Sequence, residues 1–145
     1  VILQESTSRL QNYDNYKKDV NAVINVLTKK NPNVKVFLRT SWSHSSQEKY
    51  NYVAMKTVTS NTEKLAKELF GDDWKTRVIY DGKALQKSSI KVLEDDEKHQ
   101  NRHGSYLIAA CIYKSLTGRN PVGNTYTYSN LSDYKTLQTI ANNNC

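Results

Sequence analysis

An α/β domain, with a parallel sheet covered by helices on both faces, is the architecture this chain predicts. Short runs of β-branched and large apolar residues alternate along it with stretches of helical apolar periodicity. Its 145 residues, 37% of them hydrophobic, suit one domain spanning 1–145. No internal repeat divides it, and no apolar run approaches the ~20 residues of a membrane span.

The elements follow in order. Val1-Ile-Leu3 opens the chain as a strand. Val20, Val23, Ile24 and Leu27 form the stripe of a helix packed on one face, begun by Asp14 and ended by Asn31-Pro32. Val34 to Thr40 reads as a strand. Val58, Thr62, Leu65, Ala66 and Leu69 make a second helical stripe closed by Gly71. Arg77 to Tyr80 is a third strand, followed by a turn at Asp81-Gly82. A buried helix runs from Gly104 to Leu116 with Gly118 as its cap. Arg119 to Tyr128 is a loop. Leu131, Tyr134, Leu137 and Ile140 predict a last helix from Ser132 that frays into Asn142–Asn144.

The beginning is unusual. The chain starts inside a strand with no lead-in or leader, and Met55 is its single methionine. Three strands make a narrow sheet with an unpaired flank at Val1. The expectation is a sheet lacking its amino-terminal strands.

Twenty-one basic against 14 acidic residues give a formal charge of +7. Scattered lysines such as Lys17, Lys18, Lys29 and Lys30 fit solvated helix faces, and no nucleic-acid motif accompanies them, so no nucleic-acid partner is expected. Cys111 reads as a small core hydrophobe, and with Cys145 it does not make a disulfide framework.

The chemistry concentrates in Asp96-Glu-Lys-His99-Gln-Asn-Arg-His103-Gly104-Ser-Tyr-Leu-Ile-Ala-Ala110. An acid three residues before a histidine, on a turn, can hold the imidazole in one tautomer and stabilise its charged form, as in the last two members of a Ser-His-Asp relay. The competing reading is a solvated acidic loop, Glu94-Asp-Asp-Glu97, with an exposed histidine.

This block, with Val1-Ile-Leu-Gln4-Glu5-Ser6, Leu38-Arg-Thr-Ser-Trp42, Asp81-Gly-Lys-Ala-Leu-Gln86 and the tail Ser115-Leu-Thr-Gly-Arg-Asn-Pro-Val-Gly123, resembles the SGNH hydrolases, or GDSL-type esterases, in a poorly characterised bacterial branch. The resemblance implies a flavodoxin-like three-layer α/β/α sandwich, of which this chain would be the carboxyl-terminal portion. It implies a serine esterase, secreted or at the cell surface, that deacylates a glycan or small ester without a cofactor. By match, Asp96 and His99 take the triad acid and base positions, and Gln4 that of a side-chain donor to the oxyanion. The family's nucleophile lies on a Gly-Asp/Asn-Ser block, and no such block occurs in these 145 residues. The chain alone is therefore expected to be inactive, with a preceding segment of the same domain as its missing partner. Glu97 stands where the family has glycine, and Gln100-Asn101 replace a Pro-Ser pair. The alternative is a catalytically inactive relative that binds glycan or a protein partner.

Other candidates have blander readings. His99 and His103 could share zinc only on one helix, Gln100 cannot serve as base, and no third ligand follows, so no metal is expected. The serines beside His44 neighbour it in sequence, where side chains diverge. Trp42 packs beneath the pocket or lines it for a sugar, packing being the simpler role.

Overall fold

The structure, a computed structural model, describes residues 1–42, 48–126 and 131–145, with residues 48–54 described by backbone alone. Its elements are β1 (Ile2–Leu3), α1 (Thr7–Leu10), α2 (Tyr13–Lys30), β2 (Phe37–Arg39), α3 (Glu48–Phe70), a 3-10 segment (Gly71–Arg77), β3 (Val78–Ile79), α4 (Asp81–Gln86), α5 (Arg102–Thr117) and α6 (Tyr134–Asn144). The strands form one parallel sheet of order β1-β2-β3, with Ile2 opposite Phe37 and Leu38 opposite Val78.

Alternation along each strand divides the core in two. Ile2, Phe37 and Ile79 join a cluster with Leu85 of α4, Leu107 and Cys111 of α5, and Leu137 and Ala141 of α6. Leu3, Leu38 and Val78 point the other way, into a cluster with Leu10, Tyr16 and Val20 of α1 and α2, and Val58 and Leu65 of α3. Neither face of the sheet is left bare, which parallel strands require.

The helices begin and end where local chemistry dictates. Asn12 caps α2, its side chain accepting from Asn15 N at 3.1 Å, and Asn31-Pro32 closes it. Along α2, Tyr16 and Val20 are buried and Ile24 and Leu27 pack on the second cluster, but Val23 is 45% exposed. The face repeats at 16, 20, 24 and 27, and Val23 lies at its margin. Gly71 (φ +54°) and Gly118 (φ +69°) adopt left-handed conformations after α3 and α5.

Three expectations are corrected. Asp81-Gly82 does not turn the chain but starts α4, with Asp81 fully buried. The end of α6 does not fray at 142–144, because helix continues to Asn144 and Cys145 N bonds Ala141 O at 3.0 Å. Cys111 and Cys145 form a disulfide, with Cα atoms 5.4 Å apart. Packing of α6 alongside α5 closes that 34-residue separation, a tertiary fact with no local signal.

Candidate functional site

In a parallel sheet all strands end on one side, so Gln4, Thr40–Trp42 and Tyr80–Asp81 share one edge. Arg39 ties these ends together. Its Nε donates to Asp81 Oδ2 at 2.8 Å, a second guanidinium nitrogen reaches the same oxygen, and a third donates to Gln4 Oε1. Asp81 is inaccessible to solvent, and burial pushes its carboxyl above the ordinary value while Arg39 pulls it back down. Among the described residues no partner meets hydrogen-bond geometry at its Oδ1. Arginine only donates, so the Gln4 carbonyl faces Arg39 and its amide N–H groups point elsewhere.

At Ser41 the backbone turns sharply, with φ +56° in a residue that is not glycine. Gly82 fits against that kink only because it lacks a side chain. A Cβ there would lie 1.5 Å from Ser41 O and 2.8 Å from the Met55 methyl. Trp42 follows, its ring 6.0 Å from the Arg39 guanidinium carbon. Thr7 Oγ1 donates to Trp42 O, and Trp42 Nε1 donates to Lys98 O at 2.9 Å. This indole bond brings the 94–100 loop to the strand ends.

The loop is a closed hairpin. Leu93 and Gln100 make an antiparallel bridge, Glu94 N bonds His99 O at 2.8 Å, and Glu97 N bonds Glu94 O at 3.1 Å. Glu97 sits at the tip with φ +56°, in the conformation glycine favours. Asn101, read in sequence as a departure from a Pro-Ser pair, caps α5. Its Oδ1 accepts from Gly104 N at 3.0 Å, and its Nδ2 donates to Lys91 O and Leu93 O. Gly104 is needed for contact with the preceding strand-like turn, since a Cβ would lie 2.2 Å from Val92 O.

Within this frame His99 Nδ1 lies 2.5 Å from Asp96 Oδ2. Asp96 Oδ1 accepts from His99 N at 3.0 Å and Lys98 N at 2.9 Å. Those backbone donors, led by His99 N, and the imidazole hold the Asp96 carboxyl well below the usual carboxylate range. The pair faces solvent, with side chains 46% and 77% exposed for Asp96 and His99. With Nδ1 engaged by the carboxylate, Nε2 is the ring atom available for proton transfer.

A cavity of about 330 Å³ opens between this loop and the strand ends, with Trp42 on one side and Glu94 and Glu97 on its wall. Trp42 also packs on the core cluster, so it both supports the site and lines it. The lining run Ile90-Lys-Val-Leu93 was not singled out from sequence, although an alternating apolar segment before four acids was a usable signal.

Not every candidate converges here. His99 precedes the first residue of α5, Arg102, while His103 lies inside it with Nε2 3.6 Å from Asp133 Oδ2. The two histidines thus share no helix. Among the described residues no group of three or more His, Cys, Asp or Glu is placed to hold a metal ion. Ser43, His44, Ser45 and Ser46 lie outside the described residues, as does Tyr128 at the end of the late loop. No hydrogen bond among the described residues joins Gln4 to the Asp96–His99 pair. No helix among those residues is long and apolar enough to cross a membrane.

No family model matches the chain, and no curated protein matches it. Its fold is similar to the crystal structure of a DUF4886 family protein from Bacteroides uniformis, with a TM-score of 0.81 at 19% identity. That likeness covers 98% of this chain but only 60% of the other, so the chain spans about three-fifths of that structure's length. At this identity the comparison speaks to fold alone.

Proposed function

We propose that this chain is the acid–base half of an SGNH-type serine ester hydrolase, with a nucleophile supplied by residues outside these 145. The observation that carries the reading is the 2.5 Å contact between His99 Nδ1 and Asp96 Oδ2 on a loop held to the carboxyl edge of a parallel sheet. The non-glycine left-handed residues Ser41 and Glu97 flank the same place, and strain of that kind gathers at functional sites. The finer architecture we assign is the flavodoxin-like α/β/α sandwich, in keeping with a core split between the two faces of the sheet.

In this reading Asp96 fixes the His99 ring, and Nε2 takes the proton of a serine hydroxyl as its oxygen attacks the ester carbonyl. The outward amide of Gln4, together with donors from outside the chain, stabilises the oxyanion. Nε2 returns the proton to the leaving alcohol, giving an acyl-enzyme and a free alcohol. Water then adds to the acyl group, its proton passing through Nε2 to the serine, and the acid departs. The Cys111–Cys145 disulfide supports a secreted or cell-surface setting, where such bonds persist.

The test is hydrolysis of an aryl acetate by this chain and by a form extended at its amino terminus. The short form is expected to be inert, the extended form active, and His99→Ala to remove that activity. Asp96→Asn should lower turnover by about 10⁴-fold, as loss of a tautomer-fixing acid does elsewhere. Activity in the extended form that survives His99→Ala removes the assignment. The rival reading, an inactive relative that binds glycan or protein, draws on the glutamate at the loop tip, and inactivity of the extended form selects it.

A further inference from the structure

We propose that the cavity beside Trp42 binds the hydrocarbon part of a neutral ester with a medium-length acyl chain, rather than an acetyl group alone. This specifies the substrate class of the same site and rests on the esterase reading only for the word substrate, not for binding. The floor and walls are apolar, made by Trp42, Met55, Leu85, Ile90, Val92 and Leu93. Its volume of about 330 Å³ falls at the lower end of small-molecule sites and far exceeds what an acetyl group fills. Its position also fits. The lining residues Lys91–Glu94 and Glu97 belong to the same loop as His99, which lies two residues beyond Glu97, and we set the carbonyl end of a chain in the cavity on the side of that loop.

Charge at the mouth sets the second feature. Glu94 and Glu97 line the cavity, and Asp95 and Asp96 lie between them. Lys91, also on the lining, is paired with Asp95, and Lys98 follows Glu97, so four acids against two lysines leave the rim net negative. A free fatty acid anion meets repulsion there, while the neutral ester does not. The same field favours departure of the acid once an ester is cleaved.

The experiment uses this chain in low-salt buffer, titrated with methyl octanoate, sodium octanoate and methyl acetate and read by methyl and indole NMR shifts. Methyl octanoate should bind at least a hundredfold more tightly than methyl acetate, because each buried methylene adds to affinity. Its shifts should centre on Met55, Leu85, Val92, Leu93 and the Trp42 indole. Octanoate should bind at least threefold more weakly than its methyl ester, a gap that closes in 1 M salt or in Glu94→Gln/Glu97→Gln. Ile90→Trp, which fills the cavity, should abolish the effect. Equal binding of the octanoate and acetate esters, or shifts centred elsewhere, overturns the assignment. Binding needs no nucleophile, so the two proposals fail separately. Octanoate-ester binding with no hydrolysis by the extended form keeps the cavity and discards the esterase. Aryl acetate hydrolysis without octanoate-ester binding does the reverse.

Discussion

Asp81 and Asp96 each meet a basic side chain near the carboxyl edge of the sheet, but their surroundings differ in every other respect. Asp81 is wholly buried against Arg39, itself 11% exposed, whereas Asp96 and His99 stand in solvent. Burial raises the first carboxyl, and backbone hydrogen bonds lower the second. The close contact alone therefore does not reveal a role. The buried pair joins three strand ends and acts on the framework. The exposed pair has one imidazole nitrogen fixed by a carboxylate on a solvent-facing loop.

The comparison breaks most visibly at Arg39. Arg39→Met leaves the Asp81 carboxylate buried without its partner and should cost about 3–5 kcal/mol in urea unfolding. A loss below 1 kcal/mol would mean that the buried pair does not organise the edge. Asn101→Ala removes the α5 cap and two bonds to the Lys91–Leu93 backbone, with an expected loss of about 1–2 kcal/mol by the same measurement.

Glu97→Gly has the opposite sign. It relieves a left-handed residue worth about 1–2 kcal/mol, partly offset by the added freedom of glycine in the unfolded chain. A gain of up to about 1 kcal/mol is expected, and a loss would mean that the Glu97 side chain supports the loop.

Acid titration sharpens the contrast. The lowered carboxyl of Asp96 contributes stability above the unfolded value of about 3.9, lost as pH falls through the folded value. The raised carboxyl of Asp81 runs the other way, favouring the fold at low pH and less so as pH climbs through its folded value. The protection factor of the 94–100 amides, their exchange measured against the unfolded-chain rate at each pH, should fall on acidification in the native chain. It should lose that acid dependence in Asp96→Asn and keep it in Asp81→Asn.

Much of the framework was legible because it is written in local periodicity. The stripes at Val20–Leu27 and Val58–Leu69, the apolar run at Leu107–Cys111 and the glycine after α5 all correspond to observed elements. Helix α1 was missed because Thr7–Leu10 is a single turn with no period to detect. Asp81-Gly82 was misread because this pair ordinarily marks a turn, and only the close approach of Ser41 O shows why glycine is there. Arg39 with Asp81 and Cys111 with Cys145 are separated by 42 and 34 residues, and tertiary packing alone joins them. Asp96 and His99 were visible because they are three residues apart on one turn. The cavity beside them was not, since its walls come from four separate stretches of chain.

The most direct measurement is the ¹⁵N spectrum of the His99 imidazole in its neutral form. The Asp96–His99 geometry requires a proton on Nδ1, held toward Asp96, with reversion in Asp96→Asn to the Nε2–H form that free histidine favours. An Nε2–H ring in the native chain, unchanged by Asp96→Asn, would contradict it.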